Sequence, residues 1–96
     1  MILHTLNAPA GSIAFRDCLH TAGDGDTILL LGDGVYAALP GSEGLQALET
    51  SPARLLVLAC DAQAAGVARR LPAPLLVDMD GFVALSEAHP RQLAWY

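Results

Sequence analysis

Two cysteines carry the most reactive side chains in this sequence, and their surroundings predict different behaviour. A thiol acts as a nucleophile or carries sulfur only when it is accessible and at least partly ionised. Cys18 shares an apolar stripe with Phe15 and Ala22, at helical spacing, and no cation is predicted beside it. The residues alone therefore favour a buried and unreactive thiol at this position.

Cys60 has the better predicted setting for chemistry. It follows an apolar strand and precedes a helix predicted to start at Asp61, which places it at the edge of a parallel sheet where ligands bind. A helix N-terminus lowers the pKa of a thiol, whereas the neighbouring Asp61 carboxylate opposes ionisation. Two interpretations of Cys60 stay open: a reactive thiol, or a small residue that fills the end of the strand. The second is favoured.

Two further motifs resemble catalytic loops but are incomplete. Gly32-Asp33-Gly34 lacks the third glycine of a phosphate loop, and Asp33 would repel an anion, so we expect a structural turn. Leu75–Phe82 is similar to the nucleophile motif of haloacid-dehalogenase-type phosphatases, with Asp78 at the strand end. The sequence has no lysine to complete such a site, so a stand-alone enzyme is the least favoured hypothesis.

The histidines do not predict a metal site. His4, His20 and His89 share no spacing typical of metal ligands, and the carboxylates are scattered, so neither a metal nor another cofactor is predicted. His4 interrupts an apolar strand and is expected to be a core histidine satisfied by hydrogen bonds. His89 precedes Pro90 and is expected to end a helix.

The composition indicates a small subunit that needs a partner. The chain has 96 residues, of which 53% are hydrophobic and 16% charged, so polar groups cannot cover its whole surface. A net charge of −5 with no lysine argues against direct binding of nucleic acid. No apolar stretch is long enough to span a membrane, and the start lacks the pattern of a signal peptide, so we expect a cytoplasmic protein.

Strand and helix patterns alternate along the whole chain. Strands are predicted at Met1–Leu6, Thr27–Leu31, Arg54–Ala59, Leu75–Val77 and Gln92–Trp95. Helices are predicted from Ile13 to Ala22 with Ser12 as cap, from Val35 to Leu39 and again from Ser42 or Glu43 to Thr50, from Asp61 to about Ala68, and from Asp80 or Gly81 to before Pro90. This order predicts a single α/β domain over residues 1–96, with helices on both faces of a mainly parallel sheet of about five strands.

Three separated motifs carry a resemblance to a known family. They are Met1–Asn7, Gly25–Ala38 and Ala88–Trp95, and their order and spacing are similar to those of the TusB/DsrH family. Cys18 and the residues after it also fit the Cys-Leu-x-x-Ala-x-x-Gly pattern of the DsrH branch. The resemblance runs from Met1 to Trp95.

The resemblance implies a mainly architectural subunit of a TusBCD-like sulfurtransferase complex. Such a heterohexamer contains TusC/DsrF-like and TusD/DsrE-like subunits and exchanges persulfide sulfur with TusA- and TusE-like carriers, for 2-thiouridine formation at the tRNA wobble position. The alternative is a DsrH-type subunit of a DsrEFH-like complex in dissimilatory sulfur oxidation. In that case Cys18 is implied to be an accessory persulfide carrier. Whether the subunit takes part in catalysis stays open.

Overall fold

Five short strands form one sheet in which every neighbouring pair runs parallel. A computed structural model describes all residues, 1–96. The strands are β1 (Ile2–Leu6), β2 (Thr27–Leu30), β3 (Arg54–Leu58), β4 (Leu76–Val77) and β5 (Arg91–Trp95). Their order across the sheet is β4-β3-β2-β1-β5, and Leu6 pairs with Leu30 on one side and with Trp95 on the other. The predicted α/β class and strand number are confirmed.

Four helices cover the two faces of this sheet. They are α1 (Ile13–Thr21), α2 (Glu43–Thr50), α3 (Ala59–Ala64) and α4 (Met79–Ala88), with 3₁₀ turns at Gly32–Ala38, Ala68–Arg70 and Ala73–Leu75. The chain moves in one direction from β1 to β4 and then returns to the far side of β1 for β5. Because parallel crossovers are right-handed, that return places α4 on the face opposite to α1, α2 and α3.

The core accordingly has two unequal layers. The larger layer joins Phe15 of α1, Leu48 of α2 and Ala62 of α3 to the sheet, and the smaller one joins Leu3 and the neighbouring strand leucines to α4. The three-layer arrangement predicted from the sequence is therefore present.

Polar side chains define where three helices begin. The hydroxyl of Ser12 accepts a hydrogen bond from the Phe15 amide at 3.1 Å, and that of Ser42 accepts one from the Leu45 amide at 3.1 Å. Asp78 caps α4 by accepting from the Gly81 amide at 2.7 Å. The predicted cap at Ser12 and the predicted helix restart after Ser42 are confirmed. The predicted start of α4 at Asp80 or Gly81 is one or two residues too late, because Asp78 is the cap and Met79 is the first helical residue.

The predictions for two other helices were wrong. The segment expected to be a helix from Val35 is a 3₁₀ turn that already starts at Gly32. The helix predicted from Asp61 to about Ala68 is α3, which begins two residues earlier, at Ala59, and already ends at Ala64. Gly66 explains the early end, because its φ of +77° is a left-handed conformation that stops a helix.

Candidate functional site

Cys18 is enclosed in the larger core layer. Its side chain has no exposed surface, and it packs with Phe15 and Ala22 beneath α1. Burial raises the pKa of the Cys18 thiol to about 12, because a thiolate would lose its hydration there. The thiol is therefore protonated at neutral pH, and an external sulfur donor reaches it only when α1 opens. The role of Cys18 as an accessory persulfide carrier stays a prediction.

Cys60 is the accessible thiol of the chain. It is the second residue of α3, it is exposed, and it lies just past the carboxyl end of β3. Its Sγ is 3.8 Å from Oδ1 of Asp61. The structure thus places the two cysteines on different helices, one inside the core and one at the sheet edge. It does not assemble them into one site.

A small acidic cleft lies beside the carboxyl ends of β2 and β3. The cleft has a volume of about 240 Å³ and is lined by Gly32, Asp33, Tyr36, Asp61, Ala64 and Ala65. The Gly32 amide donates to Oδ2 of Asp61 at 2.8 Å, and the Asp33 amide donates to Oδ1 of Asn7 at 3.0 Å. These bonds tie three strand ends together.

The Gly32-Asp33-Gly34 turn is built for packing rather than for phosphate. The amides of its first two residues already donate to side chains, so neither points freely at an anion. Gly32 has a φ of +53°, and a Cβ added at Gly34 would lie 2.2 Å from the carbonyl oxygen of Leu6. The expected structural role of the glycines is supported by this close approach.

A buried hydrogen-bond chain links the first, second and last strands. Nε1 of Trp95 donates to Nδ1 of His4 at 3.1 Å, and Nε2 of His4 contacts Oδ2 of Asp26 at 3.0 Å. Because an indole N–H can only donate, Nδ1 accepts, Nε2 carries the proton, and the ring is neutral. The prediction of a satisfied core histidine at position 4 is confirmed. Sequence reasoning missed both partners of that histidine.

Asp26 anchors this chain of bonds. Burial by itself raises the pKa of its carboxyl, but hydrogen bonds from the Gly23 amide, the His4 ring and the Ile2 amide outweigh burial and lower the pKa to about 2. The carboxylate therefore stays ionised at neutral pH. The only sequence signal for it was an aspartate directly before a buried strand.

The remaining candidates are separate from the cleft. His89 ends α4 as predicted, with Nδ1 donating to the Leu85 carbonyl at 2.8 Å. Asp78 is engaged as a helix cap. No group of three or more histidine, cysteine or acidic side chains lies close enough together to hold a metal ion. The geometry thus provides an acidic edge beside an exposed thiol, without an assembled catalytic set.

Comparison with known proteins gives a family. The family model described as "DsrH like protein" matches residues 7–92. The chain is 36% identical over 95 residues to the protein named TusB of Escherichia coli (strain K12), an alignment that covers 98% of this chain and all of that protein. The chain belongs to the TusB/DsrH family. TusB of Erwinia tasmaniensis is 38% identical and TusB of Enterobacter sp. (strain 638) 34% identical, each over the same shares of both chains.

Membership of the TusB/DsrH family makes the chain a sulfur-relay subunit, as the sequence motifs implied. No helix has both the length and the apolar character needed to cross a membrane.

Proposed function

We propose that this chain is the TusB-like subunit of a cytoplasmic heterohexamer that relays persulfide sulfur for 2-thiouridine formation at the tRNA wobble position. Its partners in this proposal are TusC/DsrF-like and TusD/DsrE-like subunits, and TusA- and TusE-like proteins carry sulfur to and from the complex. Similarity to TusB proteins over 98% of the chain is the observation that carries the proposal.

The proposed role of this subunit is architectural. Cys18 is buried and its thiol is protonated at neutral pH, so in this conformation it does not act as a nucleophile. Cys60 is accessible, but its nearest polar side-chain contact is an acid rather than a cation or a general base. Persulfide transfer is therefore assigned to a partner subunit, and this chain contributes surface and shape.

Complementation tests the proposal. The chain is expressed with its own TusC-like and TusD-like partners in an Escherichia coli strain that lacks all three genes, and 2-thiouridine in tRNA is measured by mass spectrometry. We expect thiolation to return, and to be retained within about twofold in a variant with both cysteines changed to serine. If thiolation returns equally when this chain is omitted, the proposal is wrong.

The alternative function is a DsrH-type subunit of a DsrEFH-like complex in sulfur oxidation, with Cys18 as an accessory persulfide carrier. The match to the DsrH family model and the Cys18-Leu19 pattern favour it. Incubation of the complex with a persulfide donor and intact-mass measurement distinguish the two roles. A sulfur adduct that disappears in Cys18→Ser supports the alternative, whereas an adduct that disappears only in Cys60→Ser, or no adduct on this chain, contradicts it.

A further inference from the structure

The outer side of β5 is the longest open strand edge of the sheet. β5 is the last strand in the order and pairs only with β1, whereas the opposite edge strand, β4, has two residues. Four of the five β5 residues are exposed, including Leu93 at 41%. Unpaired backbone groups along such an edge are a template for another strand.

Backbone direction shows which groups of β5 are free. The carbonyl of Trp95 accepts from the Asn7 amide at 2.8 Å, so the main-chain groups of Trp95 face inward towards β1. Because the main-chain groups of successive residues in a strand point to alternate sides, the N–H and C=O of Leu93 also face β1. The N–H and C=O groups of Gln92 and Ala94 therefore face outward, where no strand of this chain pairs with them.

We propose that this edge pairs with β5 of a second copy of the chain, antiparallel, about a two-fold axis that passes beside Leu93 and is normal to the sheet. Gln92 of one copy then forms a hydrogen-bonded pair with Ala94 of the other, and the two such pairs contain four backbone hydrogen bonds. The two sheets become one continuous sheet with the order β4-β3-β2-β1-β5-β5-β1-β2-β3-β4.

The side chains of β5 are complementary to themselves in this register. Leu93 faces Leu93 of the second copy in a non-hydrogen-bonded pair, where side chains approach most closely. Arg91, the only charged residue of the strand, lies opposite Trp95 of the second copy on the same face of the sheet, so this register brings no like charges together. A register centred on Arg91 would instead place two guanidinium groups opposite each other.

Apart from the charge of Arg91 at its start, β5 lacks the features that normally protect an edge strand. It contains no lysine and no proline between Arg91 and Trp95, and its pairing with β1 is regular along all five residues. A contact made by one strand pair is smaller than a standard protein interface, so we expect a weak, concentration-dependent dimer. This pairing does not depend on the proposed sulfur chemistry and can succeed or fail independently of it.

Disulfide trapping tests the register directly. In a non-hydrogen-bonded antiparallel pair the Cα atoms are about 4.5 Å apart, within the range that a disulfide spans. Leu93→Cys is made in the full chain with Cys60→Ser, so that the accessible native thiol is absent, and is oxidised with copper phenanthroline. We expect at least tenfold more covalent dimer than for Val83→Cys in the same background, because Val83 is similarly exposed but lies on α4.

Sedimentation of the full chain without cross-linking gives the second measurement. Leu93→Arg places two cations at the two-fold axis, and Ala94→Pro removes an outward N–H that pairs with nothing inside the chain. Each is expected to raise the dimer dissociation constant at least tenfold, whereas Val83→Arg leaves it unchanged. If Ala94→Pro lowers the unfolding temperature, the dissociation constant of Leu93→Arg alone tests the pairing. The Leu93 side chain is exposed, so its replacement is not expected to disturb the fold.

Three results with the isolated chain would overturn the pairing. They are a monomer at every concentration up to the solubility limit, equal cross-linking of Leu93→Cys and Val83→Cys, and a dimer that Leu93→Arg does not weaken. Loss of the self-paired species when TusC-like and TusD-like subunits are added, with cross-linking of Leu93→Cys to one of them, would also overturn it by assigning the edge to another chain.

Discussion

The two thiols of this protein occupy opposite environments. Cys18 lies inside the larger core layer, where burial raises its pKa to about 12, and Cys60 lies exposed in the first turn of α3. A thiol reacts through its thiolate, so burial removes both access and ionisation from Cys18. The structure thereby separates the thiol that fits the family pattern from the thiol that solvent can reach.

This separation predicts a large difference in alkylation rate. With iodoacetamide at pH 8, we expect Cys60 to react at least 100-fold faster than Cys18, because Cys18 reacts only through local opening of α1. Peptide mass spectrometry at timed intervals measures both sites in one sample. In the Cys60→Ser variant, the remaining thiol of Cys18 should stay almost unlabelled in the native protein and should label fully in urea. Equal labelling of the two cysteines in the native protein would contradict the burial of Cys18.

Asp26 is the residue whose ionisation contributes most clearly to folding. Its pKa is about 2 in the folded protein, against about 3.9 in an unfolded chain. The depressed value means that stabilisation is complete above pH 4 and is lost as the pH falls from about 4 to about 2. The difference corresponds to roughly 2 kcal/mol of unfolding free energy at neutral pH.

Replacement of Asp26 tests this assignment. Asp26→Asn should lower the free energy of unfolding by about 2 kcal/mol at pH 7, and the difference from the unchanged protein should shrink towards pH 2.5. Urea unfolding at several pH values measures it. Asp24→Asn is the matched control, since Asp24 is exposed and two residues away. If the free energies of unfolding of Asp26→Asn and of the unchanged protein differ by the same amount at every pH in this range, Asp26 does not anchor the strands.

Only one member of the buried chain could be predicted from the sequence. An isolated histidine among apolar residues, His4, indicates a core residue with partners. Trp95 lies 91 residues away and Asp26 lies 22 residues away, so their contact depends on β5 returning beside β1. No local pattern encodes that strand order. The same holds for the burial of Cys18, whose depth depends on how α1 meets the sheet.

Among the secondary-structure elements, the turn after β2 shows how a glycine sets the path of the chain. The 3₁₀ turn Gly32–Ala38 passes directly over the end of β1, and the Gly34 position leaves no space for a side chain beside the Leu6 carbonyl. This contact fixes the distance between β1 and the turn that forms one wall of the acidic cleft.

Alanine substitution distinguishes this packing role from mere flexibility. Gly34→Ala would place a Cβ 2.2 Å from a backbone oxygen, so we expect it to destabilise the protein by about 3 kcal/mol. Gly23→Ala is the control, since nothing lies within 4 Å of its Cβ position and its φ is not left-handed. Its effect should stay within about 0.5 kcal/mol. Equal unfolding midpoints for the two variants in urea would exclude the close approach.

The sequence predicted the bounds of an element well where the local sequence pattern was clear. The buried strand β2 and the serine caps of α1 and α2 combine an apolar pattern with a clear boundary residue, and they were placed within a residue or two. The start of α4 was less certain because Asp78 and Asp80 can both cap a helix. α3 ended early because Gly66 adopts a left-handed conformation, and glycine allows but does not require it.

At the scale of the whole molecule, the protein leaves several large apolar side chains in solvent. Five of them lie on four elements: Ile13 on α1, Tyr36 on the 3₁₀ turn after β2, Met79 and Val83 on α4, and Leu93 on β5. The low charge content predicted such a surface from the sequence, but not where it lies. Open apolar groups on several sides suit a subunit with more than one neighbour, as the proposed heterohexamer requires. The pairing of β5 would supply one contact between like chains.

The native mass of the assembled complex tests the central proposal most directly. The affinity-tagged chain is expressed at its native level in its source cells, and the purified assembly is measured by native mass spectrometry with identification of each subunit. We expect a heterohexamer with two copies each of this chain, a TusC-like subunit and a TusD-like subunit. Recovery of this chain without TusC-like or TusD-like subunits, from cells that contain both, would contradict it.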